Sequence, residues 1–249
     1  MYAFGESGQK NFGIEMAFGE LETSAATVAH SLRKRKTVSL SDREELAKFT
    51  ALQLARTPAF RDALAKTYGG YNEREIAEHI QATFKILPPG YDASTFSAIP
   101  MSESAMKNFF LGSVLDETLQ KAPLFAVRNF RILHAPLDCS FITSSFGLGF
   151  AASATDVASI NVSHKDVIIY LPLASDLVVE MSGFIPRRKI EQVPHVNVNA
   201  FIVREINRRV AYNADQFVVA NHSYLRLKEP WGSGYITTSP RLTKTQKAT

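Results

Sequence analysis

The chain has 249 residues, of which 45% are hydrophobic and 21% charged, with a formal net charge of +4 and a pI of about 9.1. This is the composition of an ordinary globular protein that can bury a sizeable core. No apolar run approaches the roughly 18 residues that span a bilayer, and a single Cys139 excludes an intramolecular disulfide. The first residues lack the pattern of a secretory signal, so we expect a cytoplasmic protein with no membrane partner.

The first half of the chain predicts helices, because its apolar residues recur at intervals of three and four. Ser41 and Glu44 form a capping-box pattern at the start of the second helix, and Pro58 interrupts that helix. The predicted helices, in chain order, cover residues 21–36, 41–57, 59–68, 73–87 and 102–122.

At Pro123 the apolar period changes from 3.6 to 2, which predicts strands. These cover residues 124–133, 137–143, 159–162, 166–173 and 177–181, followed by a helix at 197–213 and a β-like stretch at 215–220. Residues 167–171 are apolar throughout, which is typical of a central strand covered on both faces. We therefore predict an α+β fold: a helical N-terminal region (1–122) packed on a mixed or antiparallel sheet (123–229), and a flexible C-terminal tail (230–249).

Catalytic constellations are sparse in this sequence. The six histidines form no His-x-x-x-His or His-Glu-x-x-His pair, so we expect isolated surface or core histidines and neither a metal nor a cofactor. Asp138, Asp156 and His164 are the candidate catalytic cluster, because they flank one predicted loop and could exchange protons. Cys139 is better explained as a buried thiol than as a nucleophile.

Two arginines and two glycines complete the catalytic alternatives. Arg56 and Arg128 could serve that cluster as a phosphate or oxyanion partner. Gly147 and Gly149 resemble a fragment of a phosphate-binding turn, but the third glycine is missing.

Basic residues occur in four groups, and helix-dipole and solubility effects account for such groups in many proteins. The first group contains Arg33, Lys34, Arg35 and Lys36. The second contains Arg187, Arg188 and Lys189, in a segment that Gly183 and Pro186 should project from the sheet. The others are Arg204 with Arg208 and Arg209, and the C-terminal tail with Arg241, Lys244 and Lys247.

The first two groups are candidate binding residues for an acidic partner. That partner is a protein or a nucleic acid. Single-strand binding would favour aromatic residues interleaved with the basic ones, and only Phe184 lies near the second group.

Four pieces of the sequence stand out: residues 46–58 (LAKFTALQLARTP), 141–144 (FITS), 169–173 (IYLPL), and 203–207 (VREIN) leading into 211–218 (AYNADQFV). In this order and spacing they resemble the domain-of-unknown-function family 4238 over residues 12–227. The resemblance implies a fold outline and no activity. Family members usually carry an N-terminal His motif, and we expect this chain to lack it. They also usually carry Asp-Asn-Pro directly after a Thr-Ser pair. Here Thr143 and Ser144 are followed by Ser145, Phe146 and Gly147, so the turn has lost its carboxylate and amide.

These observations favour a non-catalytic protein-binding protein whose partner has an acidic surface. A mobile-element-encoded inhibitor that antagonises a host defence complex is one hypothesis of this kind. The alternatives are a divergent hydrolase or nuclease that uses Asp138, Asp156 and His164, and a nucleic-acid-binding protein that acts through its basic groups.

Overall fold

The computed structural model describes residues 12–68, 73–84, 103–151, 162, 164–184, 193–214 and 217–220. The chain forms two compact units. The helical unit contains Met1–Phe18 and Arg56–Asp116, and the sheet unit contains Gly19–Ala55 and Glu117–Thr249. The division of the sequence at residue 122 stays a prediction, and the predicted C-terminal tail (230–249) lies outside the described residues.

The α+β prediction is confirmed: helices occupy the N-terminal half, and a mixed five-stranded sheet is built from the C-terminal half. The helices are α1 (Phe12–Arg33), α2 (Leu40–Ala55), α3 (Pro58–Tyr68), α4 (Glu73–Phe84), α5 (Glu103–Ala126) and α6 (Ala200–Tyr212). The strands are β1 (Arg128–His134), β2 (Thr143–Ser144), β3 (Gly149–Ala151), β4 (Ile168–Ala174), β5 (Leu177–Phe184), β6 (His195–Asn197) and β7 (Val218–Val219).

The main sheet has the strand order β3-β4-β5-β1-β6, and β2 pairs with β7 in a separate two-stranded sheet. β1 pairs antiparallel with β5, so that His134 lies opposite Leu177 and Arg128 opposite Phe184. β6 pairs parallel with β1, and Asn197 is the partner of His134. The two ends of β1 therefore fix which loops meet at each end of the sheet.

Both faces of this sheet are covered, because apolar side chains alternate between two cores along each strand. On one face, strand residues such as Ile132 and Val179 pack with α1, α2 and the last turns of α5. On the other face, Tyr170 and Val178 pack with the buried stripe of α6, which is Val203, Ile206 and Val210. The prediction that residues 167–171 form a strand covered on both faces is confirmed.

Within the helical unit, aromatic rings of α1, α3 and α5 make contacts with neighbouring side chains. The guanidinium of Arg56 lies 4.7 Å from the centroid of the Phe18 ring. Phe60 of α3 and Phe110 of α5 bring their ring centroids to 6.3 Å. Arg56 therefore stacks on an aromatic ring of its own unit.

Several predicted element boundaries are wrong. α1 begins at Phe12 and not at residue 21, and of the strand predicted over 137–143 only Thr143 lies in a strand, β2. The capping box of α2 uses Ser39 and Asp42 in place of Ser41 and Glu44: the Ser39 hydroxyl accepts from the Asp42 amide at 3.0 Å, and Asp42 accepts from the Ser39 amide at 2.9 Å. α5 also continues through Pro123 to Ala126, so β1 begins at Arg128 and not at Leu124. Phe125 is fully buried in that last turn, and its burial offsets the hydrogen bond that Pro123 cannot donate.

Candidate functional site

Several loops meet where β1 ends, and we call this region the His134 end of the sheet. It contains the segment after β1, the turn between β4 and β5, and the exit of β6, since Leu177 and Asn197 are both partners of His134. Hydrogen bonds tie these loops together: the Ala135 amide donates to the Asp176 carbonyl at 3.1 Å, and the Val198 amide donates to the His134 carbonyl at 3.0 Å. The loop between α1 and α2 joins them.

That loop carries the first basic group of the sequence, residues 33–36, which we call the basic segment. The Arg33 Nε donates to the Asp176 carboxylate at 3.0 Å, and the Arg35 guanidinium donates to the Asn197 side-chain carbonyl. Arg35 has a φ of 56°, which is uncommon for a residue with a Cβ and is held here by turn hydrogen bonds to Ser31 and Leu32. The backbone of the basic segment is therefore fixed on the end of the sheet.

A pair of histidines contacts the backbone of the basic segment. His134 Nε2 and His195 Nδ1 lie 2.8 Å apart, and His195 Nε2 lies 3.0 Å from the Lys36 carbonyl oxygen. Because a carbonyl only accepts, we assign the proton of His195 to Nε2, which leaves Nδ1 to accept from His134 Nε2 when His195 is neutral. The expectation of isolated histidines is thus wrong for these two, and 61 residues of sequence separate them.

Burial lowers the pKa of His134, and the nearby charges of Arg35 and His195 lower it further, while Asp176 opposes them. His134 is buried and its ring stacks on His195 with centroids 5.2 Å apart. Two protonated rings would point two N–H groups at each other across this contact. Burial beneath a cationic loop therefore favours the uncharged form of His134.

All four residues of the basic segment are exposed, and its two lysines, Lys34 and Lys36, carry the charges that no described side chain engages. Both residues are exposed, and neither forms a salt bridge within the part of the chain that the structure describes. Arg33 is half-exposed beside Asp176. The result is a positively charged loop with a fixed backbone and two uncommitted ammonium groups.

A cavity of about 330 Å³ opens near the same end of the sheet. Two of the family pieces form its walls, and the end of β7 completes it. Its described lining is Phe141, Ile142, Thr143, Pro172, Leu173, Ala174, Ser175, Val219 and Ala220, which includes no titratable side chain. It suits a small apolar group rather than acid–base chemistry.

The turn after Thr143 and Ser144 is hydrogen-bonded to β2 and to the residue that precedes β7 in the two-stranded sheet. The Gly147 amide donates to the Ser144 carbonyl at 3.0 Å, and the Ser145 amide donates to the Phe217 carbonyl at 2.9 Å. Gly147 has a φ of 75°, the left-handed region that favours glycine. These contacts give the turn a structural role.

Gly149 is explained by packing and not by a phosphate. A Cβ at this position would lie 3.1 Å from the Val210 backbone nitrogen, so α6 can approach β3 only over a glycine. Asn207 fixes α6 from the other side: its side chain donates to the Ser140 carbonyl at 2.8 Å and accepts from the Ile142 amide at 3.0 Å. The helix thereby holds the segment that walls the cavity.

The structure does not bring Asp138 and His164 together. Asp138 is exposed and follows the end of β1, whereas the His164 carbonyl accepts from Arg128 at the start of β1. A seven-residue strand spans roughly 20 Å. His164 instead lies 3.5 Å from Asp166 on an exposed loop, and Asp156 lies outside the described residues.

Cys139 is held as a thiol. Burial raises its pKa first, and the adjacent Asp138 raises it further, against a smaller opposing effect of Arg204. A raised pKa removes the thiolate that a nucleophile needs.

Two buried arginines occupy the opposite end of the sheet. Arg128 is fully buried and donates to the carbonyls of Val167 at 2.7 Å, His164 at 3.0 Å and Val162. Arg43 donates to the Arg128 carbonyl at 2.6 Å and lies 4.3 Å above the Phe130 ring centroid. Burial lowers the pKa of both arginines. Both guanidinium groups thus bind backbone carbonyls. Arg43 lies three and four residues before the buried Leu46 and Ala47, and this helical spacing could have indicated its burial from the sequence.

The second basic group, Arg187, Arg188 and Lys189, lies outside the described residues. Phe184, the last residue of β5, is paired with Arg128. The strand that leads to this group therefore ends at the opposite end of the sheet from the basic segment.

In the part of the chain that the structure describes, no three His, Cys, Asp or Glu side chains are grouped so as to hold a metal ion. None of the described helices is both long and apolar enough to cross a membrane. Searches of the curated proteins and of the solved structures found no match. The model of a family described as protein of unknown function (DUF4238) matches residues 1–223. This match covers most of the chain, which therefore belongs to the DUF4238 family.

Proposed function

We propose that this protein acts by binding an acidic surface of a protein partner, without catalysis, through the basic segment. The observation that carries the proposal is the fixed backbone of residues 33–36, which is anchored to Asp176, Asn197 and His195 while Lys34 and Lys36 face solvent. Complementary charge of this kind speeds association and suppresses wrong partners.

Preorganisation makes such a loop effective. Ordering a long side chain at an interface costs about 0.5–1.5 kcal/mol, and a mobile loop adds the cost of its backbone. Here Arg33 and Arg35 are already held by side-chain partners, and turn hydrogen bonds fix the backbone between them. A partner would therefore need to order only the two lysine side chains.

The placement of the other polar groups also favours binding over catalysis. The two terminal nitrogens of Arg128 donate to backbone carbonyls, and Asp138 and His164 lie at opposite ends of β1. The cavity near the His134 end of the sheet is lined by apolar groups and hydroxyls. If the captured partner belongs to a host defence complex, the protein would act as an inhibitor of that complex.

The first experiment captures the partner from a nuclease-treated lysate of the protein's own source cells. The bait is the full chain, and the comparison is Lys34→Glu with Lys36→Glu. Lys165→Glu is the matched control, because Lys165 is an exposed cation at the other end of the sheet. We expect a stoichiometric acidic protein on the wild-type bait and on the control, and its loss from the double variant. Equal capture by all three baits, or none by the wild type, would overturn the proposal.

The second basic group provides a parallel arm. Replacing Arg187, Arg188 and Lys189 by Glu should leave the thermal midpoint nearly unchanged if the loop is exposed, as the sequence predicts. Loss of the captured protein in this variant alone would move the interface to that loop. Loss of folding would show that the loop is structural.

A further inference from the structure

The solvent-exposed face of α6 carries aromatic as well as basic side chains, whereas the basic segment contains no aromatic residue. Phe201, Arg204, Arg208 and Tyr212 are all exposed and lie at spacings of three, four and four residues. At about 100° per residue these four side chains fall within one narrow stripe. The stripe lies opposite Val203, Ile206 and Val210, which bury α6 against the sheet. We call it the α6 stripe.

Two aromatic rings bracket two arginines along this stripe. Phe201 and Tyr212 are each 60% exposed, so both rings are accessible from solvent. The rings are about 16 Å apart along the helix axis, and the two arginines are separated by about 6 Å. Isolated rings separated by charges do not form the contiguous apolar core of a protein interface.

The charge of the stripe is positive and only partly committed. Arg204 makes no salt bridge or hydrogen bond among the described residues. Arg208 and Arg209 share the Glu205 carboxylate at 3.4 Å each, which is a long contact for an ion pair. One carboxylate among three arginines leaves the helix with a surplus of two positive charges.

We propose that the α6 stripe binds single-stranded nucleic acid. Bases would stack on Phe201 and Tyr212, and backbone phosphates would meet Arg204 and Arg208 between them. Single-strand binding proteins combine these two features, because every base offers a ring face and every linkage a negative charge. The proposal is independent of the protein partner, since it uses a different set of residues.

The test is fluorescence anisotropy of a labelled twelve-nucleotide oligothymidylate, a length within the usual span of one single-strand site. Two neutralised phosphates predict that log affinity falls by about 1.4 per log unit of salt, at about 0.7 for each phosphate. Phe201→Leu and Tyr212→Leu should each weaken binding about tenfold, because they keep apolar area and lose the ring. Tyr212→Phe should bind as the wild type does.

Charge variants complete the design. Arg204→Gln and Arg208→Gln should each weaken binding and reduce the salt slope by about 0.7, whereas Lys165→Gln, an exposed cation off the stripe, should change the slope little. All substituted side chains are exposed, and circular dichroism checks that each variant is folded.

Three outcomes would overturn the proposal. One is the absence of binding by the folded wild type at low salt. Another is unchanged affinity in both leucine variants, which would leave charge alone as the cause. The third is poly-glutamate competing as well as unlabelled oligothymidylate, which would assign the stripe to an acidic protein.

Discussion

His134 is a buried side chain that is connected by hydrogen bonds to the exposed basic segment. It donates to His195, and His195 donates to the Lys36 carbonyl, so the imidazole pair bridges β1, β6 and the basic segment. Burial and the charges of Arg35 and His195 lower the pKa of His134 from its ordinary value of 6.5. Burial and these charges thus favour the neutral form of His134 in the folded protein.

This lowered pKa gives a signed prediction. The unfolded chain binds a proton to His134 more readily than the folded chain, so the free energy of unfolding rises with pH. The contribution is fully present above about pH 6.5 and is lost as the pH falls towards the folded-state pKa. Urea denaturation at about pH 7.5 and 5.5 measures this difference.

His134→Gln should reduce that pH-dependence, because it removes the titrating ring. His164→Gln, which removes an exposed histidine at the opposite end of the sheet, is measured in parallel. An undiminished slope in His134→Gln would contradict the assignment.

Arg128 makes a second prediction at the same scale. Arg128→Ala leaves three backbone carbonyls without their donor and should lower the free energy of unfolding by about 3 kcal/mol or more, less the desolvation cost that it relieves. Asn129→Ala, an exposed neighbour on the same strand, should cost about 0.5 kcal/mol or less. Chemical denaturation measures both, and a similar cost for the two variants would refute the role of Arg128.

These residue-scale features were only partly predictable. The basic segment stands out in the sequence because four like charges are consecutive. Its partners Asp176, His195 and Asn197 are distant in sequence and form no short motif, so only the folded chain reveals them.

At the scale of elements, local chemistry predicted which segments form helices and misplaced some of their ends. The capping-box pattern of Ser41 and Glu44 predicted the start of α2, whereas Ser39 and Asp42 form the cap in the structure. Pro123 is a strong local stop signal, but the tertiary burial of Phe125 extends α5 beyond it. Such outcomes depend on packing partners that a local pattern does not contain.

The approach of α6 to β3 predicts a contrast between two glycines. Gly149→Ala should lower the free energy of unfolding by about 1–3 kcal/mol, because the added Cβ would lie 2.9 Å from Val210 Cγ2 and 3.1 Å from its backbone nitrogen. Gly19→Ala in α1 meets nothing within 4 Å and should stabilise the protein by about 0.5–1 kcal/mol. Thermal or urea denaturation gives both signs, and a neutral Gly149→Ala would show that α6 can shift.

At the scale of the whole molecule, membership of the DUF4238 family accords with the four sequence pieces that resemble it. Three of those pieces meet in the sheet unit: two line the cavity, and Asn207 of the third fixes the wall between Ser140 and Ile142. Their order in the sequence could be read directly. Their convergence could not, because it depends on the pairing of β2 with β7 and on the side of the sheet that α6 covers.

We propose as the central claim that the basic segment steers association with an acidic protein partner. The rate constant for association of the protein with that partner tests this claim most directly. With the captured partner immobilised, the Lys34→Glu, Lys36→Glu variant should associate about tenfold more slowly than the wild type at low salt. Its dissociation rate should change little, and the difference should shrink as salt screens the charges. Lys165→Glu serves as the control. An unchanged association rate constant in a folded double variant, at low salt, would contradict the account.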